Sequence, residues 1–184
     1  TAVIKADGYG HGAKYIAQTL LENGADRFAV SGLDEALELR KSGIKEPILI
    51  LGYTQPERAK AIVGNDIEQA VYSYELARSL SMEAKRQNKT AKVHIKLDTG
   101  MGRIGFKADE TAVTQIKDIY NLPNLIIEGM FTHFAIADEK DKSYTKGQFD
   151  KFIRVADKLE KEGIFIRLKH CGNSAAIIDL PQMH

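Results

Sequence analysis

The stretch Lys92-Val93-His94-Ile95-Lys96-Leu97-Asp98-Thr99-Gly100-Met101-Gly102-Arg103-Ile104-Gly105-Phe106 decides how the rest of the chain is read. Its first seven residues alternate. Val93, Ile95 and Leu97 fall on one face of a strand and suit packing beneath helices, which sends Lys92, His94, Lys96 and Asp98 to the other face. That second face points to the interior of a closed barrel, where polar groups need partners. Glycines at 100, 102 and 105 then let the chain turn tightly and bring Arg103 back over the strand end, where a guanidinium can bind a carboxylate or a phenolate oxygen. A solvated arginine on a glycine-rich surface loop is the plainer alternative.

Outward from this strand, short β-rich runs alternate with helical patterns along the whole chain, the sequence form of repeated βα units around a parallel sheet. Strands are expected at 2–5, 27–31, 47–51, 69–72, 92–98, 126–132 and 164–170. Ala13, Ile16, Ala17, Leu20 and Leu21 recur at helical spacing, as do Phe149, Phe152, Ile153, Ala156 and Leu159. Asn23-Gly24, Ser42-Gly43 and Glu162-Gly163 close helices before the next strand. Seven strands are one short of a closed (β/α)₈ ring, so the expected fold is an α/β, TIM-type (β/α)₈ barrel lacking its last βα unit, with residues 1–184 as one partial-barrel domain. A doubly wound open sheet is the alternative. It would gather functional groups near one switch point, whereas here the expected strand ends carry Lys5, Asp98, His133 and Asn173-Ser174.

Of the 184 residues, 26 are basic and 25 acidic, a balance that calls for neither nucleic acid nor an acidic surface as partner. The single cysteine, Cys171, allows no internal disulfide, and no apolar run approaches the length of a membrane span, so a reducing cytoplasm is expected. Thr1 to Lys5 show neither an initiator methionine nor the layout of a signal peptide, and the chain is expected to begin in mid-fold. His11, His94, His133, His170 and His184 have no metal-ligand spacing, so no metal is expected.

Four segments carry chemistry. In Val3-Ile4-Lys5-Ala6-Asp7-Gly8-Tyr9-Gly10-His11-Gly12 an apolar strand ends in a lysine and passes into a glycine-punctuated turn. An amine at such a mouth suits Schiff-base chemistry with an aldehyde, and an ordinary surface lysine is the alternative. The second segment is the one quoted first. The third, Glu128-Gly129-Met130-Phe131-Thr132-His133-Phe134-Ala135, ends an apolar strand in a histidine that could equally be a satisfied core residue. The fourth, Leu168-Lys169-His170-Cys171-Gly172-Asn173-Ser174-Ala175-Ala176, runs from a strand into residues that can cap a helix or seat a phosphate. Cys171 reads as a small buried filler.

Together the four segments resemble the alanine racemases over the whole chain, with Lys5-Ala6-Asp7-Gly8-Tyr9-Gly10-His11-Gly12 similar to the family's cofactor-lysine motif. Gly8 departs from it, since many members have alanine there. The resemblance implies pyridoxal 5'-phosphate as cofactor, with Lys5 bonded to it and acting as one catalytic base. Tyr9 and Ser174 would bind its phosphate, Arg103 its phenolic oxygen and the substrate carboxylate, His133 its ring, and Asn173 would sit beside it. The family's pyridine-nitrogen partner, an arginine of the eighth strand, and its opposite-face base, a tyrosine from a β-rich C-terminal domain of the partner subunit, match no position here. The resemblance thus implies a small amino acid as substrate, a homodimer whose partner subunit completes the site, a C-terminal β-domain outside this chain, and no racemisation by this chain alone. A serine racemase, an amino-acid decarboxylase and a non-catalytic pyridoxal-phosphate-binding barrel are the competing functions. Lys96, facing inward toward Arg103, is expected either to carry a carbamate, as some members of the family do, or to pair unmodified with Asp98.

Overall fold

A computed structural model describes residues 1–183; His184, the last residue of the expected domain and one of the five histidines, lies outside the described residues. The chain divides into two compact units. The first comprises Thr1–Ala70, Glu75–Val93 and Pro123–Ile126, and the second Val71–Tyr74, His94–Leu122 and Ile127–His184.

In the first unit the strands are β1 (Ala2–Val3), β2 (Phe28–Val30), β3 (Ile48–Ile50), β4 (Glu68–Val71) and the start of β5 (Ala91–Asp98). Pairing is parallel and stepwise, with Ala2 opposite Phe28, Phe28 opposite Ile48 and Leu49 opposite Glu68. Between the strands run a short turn of helix α1 (Lys5–Tyr9), α2 (Ala13–Glu22), α3 (Leu33–Lys41), α4 (Ala59–Gly64) and α5 (Tyr74–Arg86). Phe28, Ile48, Ile50, Leu39, Ile62, Leu76 and Leu80 are fully buried, which is why β2 and β3 read as unbroken apolar runs rather than alternating ones. Gly24 takes φ +91° and receives the end of α2, with its amide on Leu21 O at 3.1 Å and that of Ala25 on Leu20 O at 2.9 Å. This is the stop expected from Asn23-Gly24.

The second unit holds the rest of β5, then β6 (Phe106–Lys107), α6 (Glu110–Tyr120), β7 (Leu125–Phe131), α7 (Ser143–Lys161), β8 (Leu168–His170) and α8 (Ser174–Asp179). Gly129 pairs with Leu168 and Phe131 with His170, again parallel. The strand order follows the chain through β5-β7-β8, as it does through β1-β2-β3-β4. A doubly wound sheet needs a point where that order reverses, and there is none among the described residues. The succession is that of the (β/α)₈ barrel, with all seven expected strands formed.

Two details differ from expectation. Residues 164–167 do not join the seventh strand, although Ile164 and Ile166 are buried, because only residues 168–170 find a partner strand. Phe106-Lys107 forms an extra two-residue strand against Leu97 and Asp98, so the glycine-rich segment returns to the strand it left.

Candidate active site

In the first unit, Ile4 is 2 % exposed and anchors the end of β1, so that Lys5, half-buried, is the first side chain beyond the core. Five consecutive residues then have positive φ: Ala6 at 50°, Asp7 at 51°, Gly8 at 63°, Tyr9 at 55° and Gly10 at 88°. A left-handed turn of this length is costly for L-residues, roughly 1–2 kcal/mol for each that is not glycine. It is closed by Gly8 N on Ile4 O at 2.9 Å, Gly10 N on Ala6 O at 3.1 Å and Gly12 N on Asp7 O at 2.9 Å. The Asp7 carboxylate accepts from Ala13 N at 2.7 Å and so fastens the turn to the start of α2. Tyr9 is exposed. Gly8 is buried, and a Cβ there would meet Ile16 Cδ1 at 2.6 Å, so the glycine that departs from the resemblance matches the seat of Ile16.

In the second unit, His94 and Lys96 are 1 % and 4 % exposed, as an inward face requires, with Val93, Ile95 and Leu97 equally buried on the other face; Lys92, expected to face inward with them, is exposed because it lies at the start of β5. The Lys96 ammonium donates to Leu97 O at 3.1 Å and lies 5.1 Å from the centre of the Phe131 ring. Burial takes its pKa down to about 8, with Asp98 opposing and Arg103 reinforcing the shift. The expected direct pairing of Lys96 with Asp98 is replaced by another use of the carboxylate. Asp98 Oδ1 accepts from Gly100 N at 2.9 Å and Gly102 N at 3.0 Å, shaping the loop that presents the exposed Arg103. For Asp98, burial pushes upward, but the amides of Gly102, Gly100 and Met101, helped by Lys96, hold the carboxyl below its usual range.

His133 is half-buried just beyond β7. Asn173 caps α8 through Oδ1, which accepts from Ala176 N at 3.0 Å, and its Nδ2 donates to Phe134 O at 3.4 Å, tying the two strand ends together. The capping alternative for Asn173 is thus realised, while Ser174, the first residue of α8, is exposed. Cys171 is buried, its thiol pushed up to about 11 by that burial and donating to Met183 O at 3.1 Å, as a filler should be. Among the described residues no cluster of His, Cys, Asp and Glu could hold a metal.

The family description that matches residues 1–184 is the alanine racemase N-terminal domain. This chain belongs to that family. The alanine racemase of Clostridium tetani is 55% identical to it over 183 residues, and alanine racemase 1 of Caldanaerobacter subterraneus is 50% identical over 183 residues. Each alignment covers 100% of this chain and 47% of the relative, so the chain spans about half the length of the relatives it matches. The solved alanine racemase of Clostridium difficile 630 superposes with a TM-score of 0.97 at 45% identity, covering 99% of this chain and 48% of that one. A histidine racemase from Leuconostoc mesenteroides superposes at 0.87 with 34% identity, over 96% of this chain and 46% of that one.

The alanine racemase N-terminal domain also contains groups that sequence reasoning did not single out. Gln148 of α7 is 1 % exposed; its Nε2 donates to Thr99 Oγ1 and His133 O, each at 3.3 Å, and its Oε1 accepts from Ala135 N at 2.9 Å. One side chain therefore holds both the segment before Arg103 and the segment of His133. The available signal was two polar residues, Thr145 and Gln148, in the otherwise apolar inward stripe of α7. His94 Nδ1 lies 3.1 Å from His170 Nε2, and Phe131 stacks on His170 with ring centres 4.9 Å apart. A Cβ at Gly129 would collide with the His94 ring, which gives that strand glycine its reason.

Proposed function

We propose that this domain is the cofactor-binding part of an alanine racemase that interconverts L-alanine and D-alanine with pyridoxal 5'-phosphate. The observation that carries this is Lys5: an amine set at the end of β1 by a buried Ile4 and followed by a left-handed turn, in a chain of the alanine racemase N-terminal domain family. The donors suit the cofactor, since they comprise a half-buried amine, the exposed hydroxyls of Tyr9 and Ser174 and the exposed Arg103 guanidinium. When bound, the cofactor supplies an electron sink for the charge left on the α-carbon once its proton departs.

Lys5 holds the cofactor and moves the proton on one face of the substrate. Tyr9 and Ser174 bind the phosphate, Arg103 binds the phenolic oxygen and the substrate carboxylate, and His133 and Asn173 position the ring. Inversion needs a base on the opposite face, which we assign, with the pyridine-nitrogen partner, to the remainder of the full-length protein and to the partner subunit of a homodimer. Catalysis then acts on a small amino acid in the cytoplasm. No helix among the described residues is long and apolar enough to cross a membrane.

Lys96 carries a carbamate. With its pKa near 8, the amine is partly neutral at physiological pH and adds to carbon dioxide with loss of one proton; the anion formed replaces a cation repelled by Arg103 with one that attracts it. Carbon-13 NMR under labelled bicarbonate is expected to show the carbamate signal.

The histidine racemase among the structural neighbours supports a second substrate reading, in which residues outside this domain set the amino acid accepted. The deciding experiment treats full-length, cofactor-loaded enzyme with borohydride and maps the labelled peptide, alongside racemisation assays on alanine, serine and histidine. A label on Lys5 with alanine preferred is expected. A label on any other lysine overturns the assignment.

A further inference from the structure

The turn that follows Lys5 is left-handed, yet only two of its five residues are glycine. Something outside the turn must hold it. Beside the contact of Gly8 with Ile16 the turn borders a cavity of about 340 Å³, whose wall includes Ala6, Val30, Glu35 and the charged Asp7, Lys14 and Glu38. Across one side of that space reaches the half-buried Glu35 of α3. Its Oε1 accepts from Ala6 N at 2.8 Å, and its Oε2 accepts from Ser31 N and Ser31 Oγ, each at 2.7 Å. Ala6 is the residue directly after Lys5, and the bond spans 29 positions of sequence.

We propose that Glu35 is the positioning residue for Lys5. Every group that bonds its carboxylate is a donor: the amide of Ala6, the amide and hydroxyl of Ser31, and the amide of Gly32. Only an acceptor with two oxygens satisfies such a set, because an amide in its place would turn its own N–H groups toward one of the donors. The carboxylate therefore fixes the plane of the Lys5–Ala6 peptide relative to the β2–α3 connection. With that peptide fixed, the first bond of the Lys5 side chain has one starting direction, so the amine is delivered to one place. The inference rests on Lys5 being the lysine that holds the cofactor.

The test uses full-length enzyme with Glu35→Gln, which preserves shape and removes the second acceptor, and Ser31→Ala, which removes one donor and leaves Ala6 N its partner. Hydrogen exchange is followed at residues 5–10 of the cofactor-free protein. The pH titration of the bound cofactor's absorbance, kcat and KM are followed in the loaded protein. Glu35→Gln is expected to accelerate exchange at Ala6, to shift the titration and to lower kcat on the order of 10²-fold, with KM for alanine changed far less. Ser31→Ala is expected to lower the unfolding temperature slightly and to leave the titration and kcat near wild type.

If Glu35→Gln does not fold, Glu35→Asp, one methylene short of reaching both donors, is measured in the same way. Wild-type exchange and titration in the Glu35 variant would overturn the proposal, as would equal effects from Ser31→Ala. Borohydride labelling of the wild type separates the premise from the inference. A label away from Lys5 defeats both, whereas a label on Lys5 with unmoved readouts in the Glu35 variant defeats this inference alone.

Discussion

The turn after Lys5 and the loop that carries Arg103 both present a cation at the end of a strand, and they are held in opposite ways. In the Arg103 loop, glycines at 100, 102 and 105 take φ of 146°, 72° and 133°, and the clasp is the carboxylate of Asp98, two residues before the first of them. Helix α7 then grips the loop: Tyr144 donates to Gly100 O at 2.6 Å, Lys151 to Thr99 O at 3.3 Å and Gln148 to Thr99 Oγ1 at 3.3 Å. In the Lys5 turn, Ala6, Asp7 and Tyr9 adopt the left-handed conformation without being glycine, and a clasp comes from Glu35 in a separate βα unit. Where glycine supplies the conformation, the bonds from Asp98 and α7 have only to orient the loop. Where it does not, the unfavourable dihedrals have to be offset by contacts that exist only once the fold has formed.

The largest effect that should separate the two regions is at glycine. A Cβ at Gly105 would stand 2.5 Å from Asp98 N and 2.6 Å from Leu97 C, both backbone atoms that cannot yield, whereas at Gly10 it would meet nothing within 4 Å. Gly105→Ala is expected to destabilise the full-length protein by about 4 kcal/mol, and Gly10→Ala by about 1 kcal/mol through its φ alone. Urea unfolding measures both. Equal losses would break the comparison.

Next in size is the grip from α7. Gln148→Leu keeps the volume but leaves Ala135 N–H and the Thr99 hydroxyl without that partner, at a cost of about 2 kcal/mol. Because Gln148 serves both the Thr99 segment and His133 O, the variant should weaken acetate binding to the cofactor-loaded enzyme, taking acetate as a probe of the Arg103 carboxylate site. Unchanged acetate affinity in a destabilised protein would mean that α7 supports the fold without directing the loop.

The smallest effect is a pH dependence at the local clasp. The Asp98 carboxyl is held below its usual range, so it is ionised in the folded state at pH values where the unfolded chain is already protonated. Its stabilisation is therefore complete above the ordinary carboxylate pKa of about 4 and is lost as pH falls through the lower folded value. Asp98→Asn retains an amide oxygen for Gly100 and Gly102 but no charge. The wild type should be more stable than Asp98→Asn by about 1 kcal/mol at neutral pH, with the gap closing in acid. A gap that stays constant between neutral and acid pH would show that geometry, not charge, sets the loop.

Alternation along β5 was enough to mark Lys96 and His94 as buried, and three glycine stops, led by Asn23, Ser42 and Glu162, with apolar stripes located the units, because these signals depend on residues within one or two turns of each other. The seat of Lys5 at a strand end was legible for the same reason. Glu35 was not: in sequence it is an acidic residue in the first turn of a helix, and nothing local distinguishes it from Asp34 beside it. Gln148 left only a faint mark, and the His94–His170 pair none, since the partners are 76 positions apart.

The sequence by itself determined the succession of βα units, the strand ends at which chemistry is placed and the residue types available there, all set by dihedral preference and hydrophobic period over short stretches. Only the tertiary structure decided which carboxylate clasps which loop, that Asp98 serves backbone amides and not Lys96, and that buried Lys96 is left with a weakened hold on its proton. Those outcomes depend on donors and acceptors brought together from distant segments and on the water they lose when buried, and neither distance nor desolvation is encoded in any one stretch of chain.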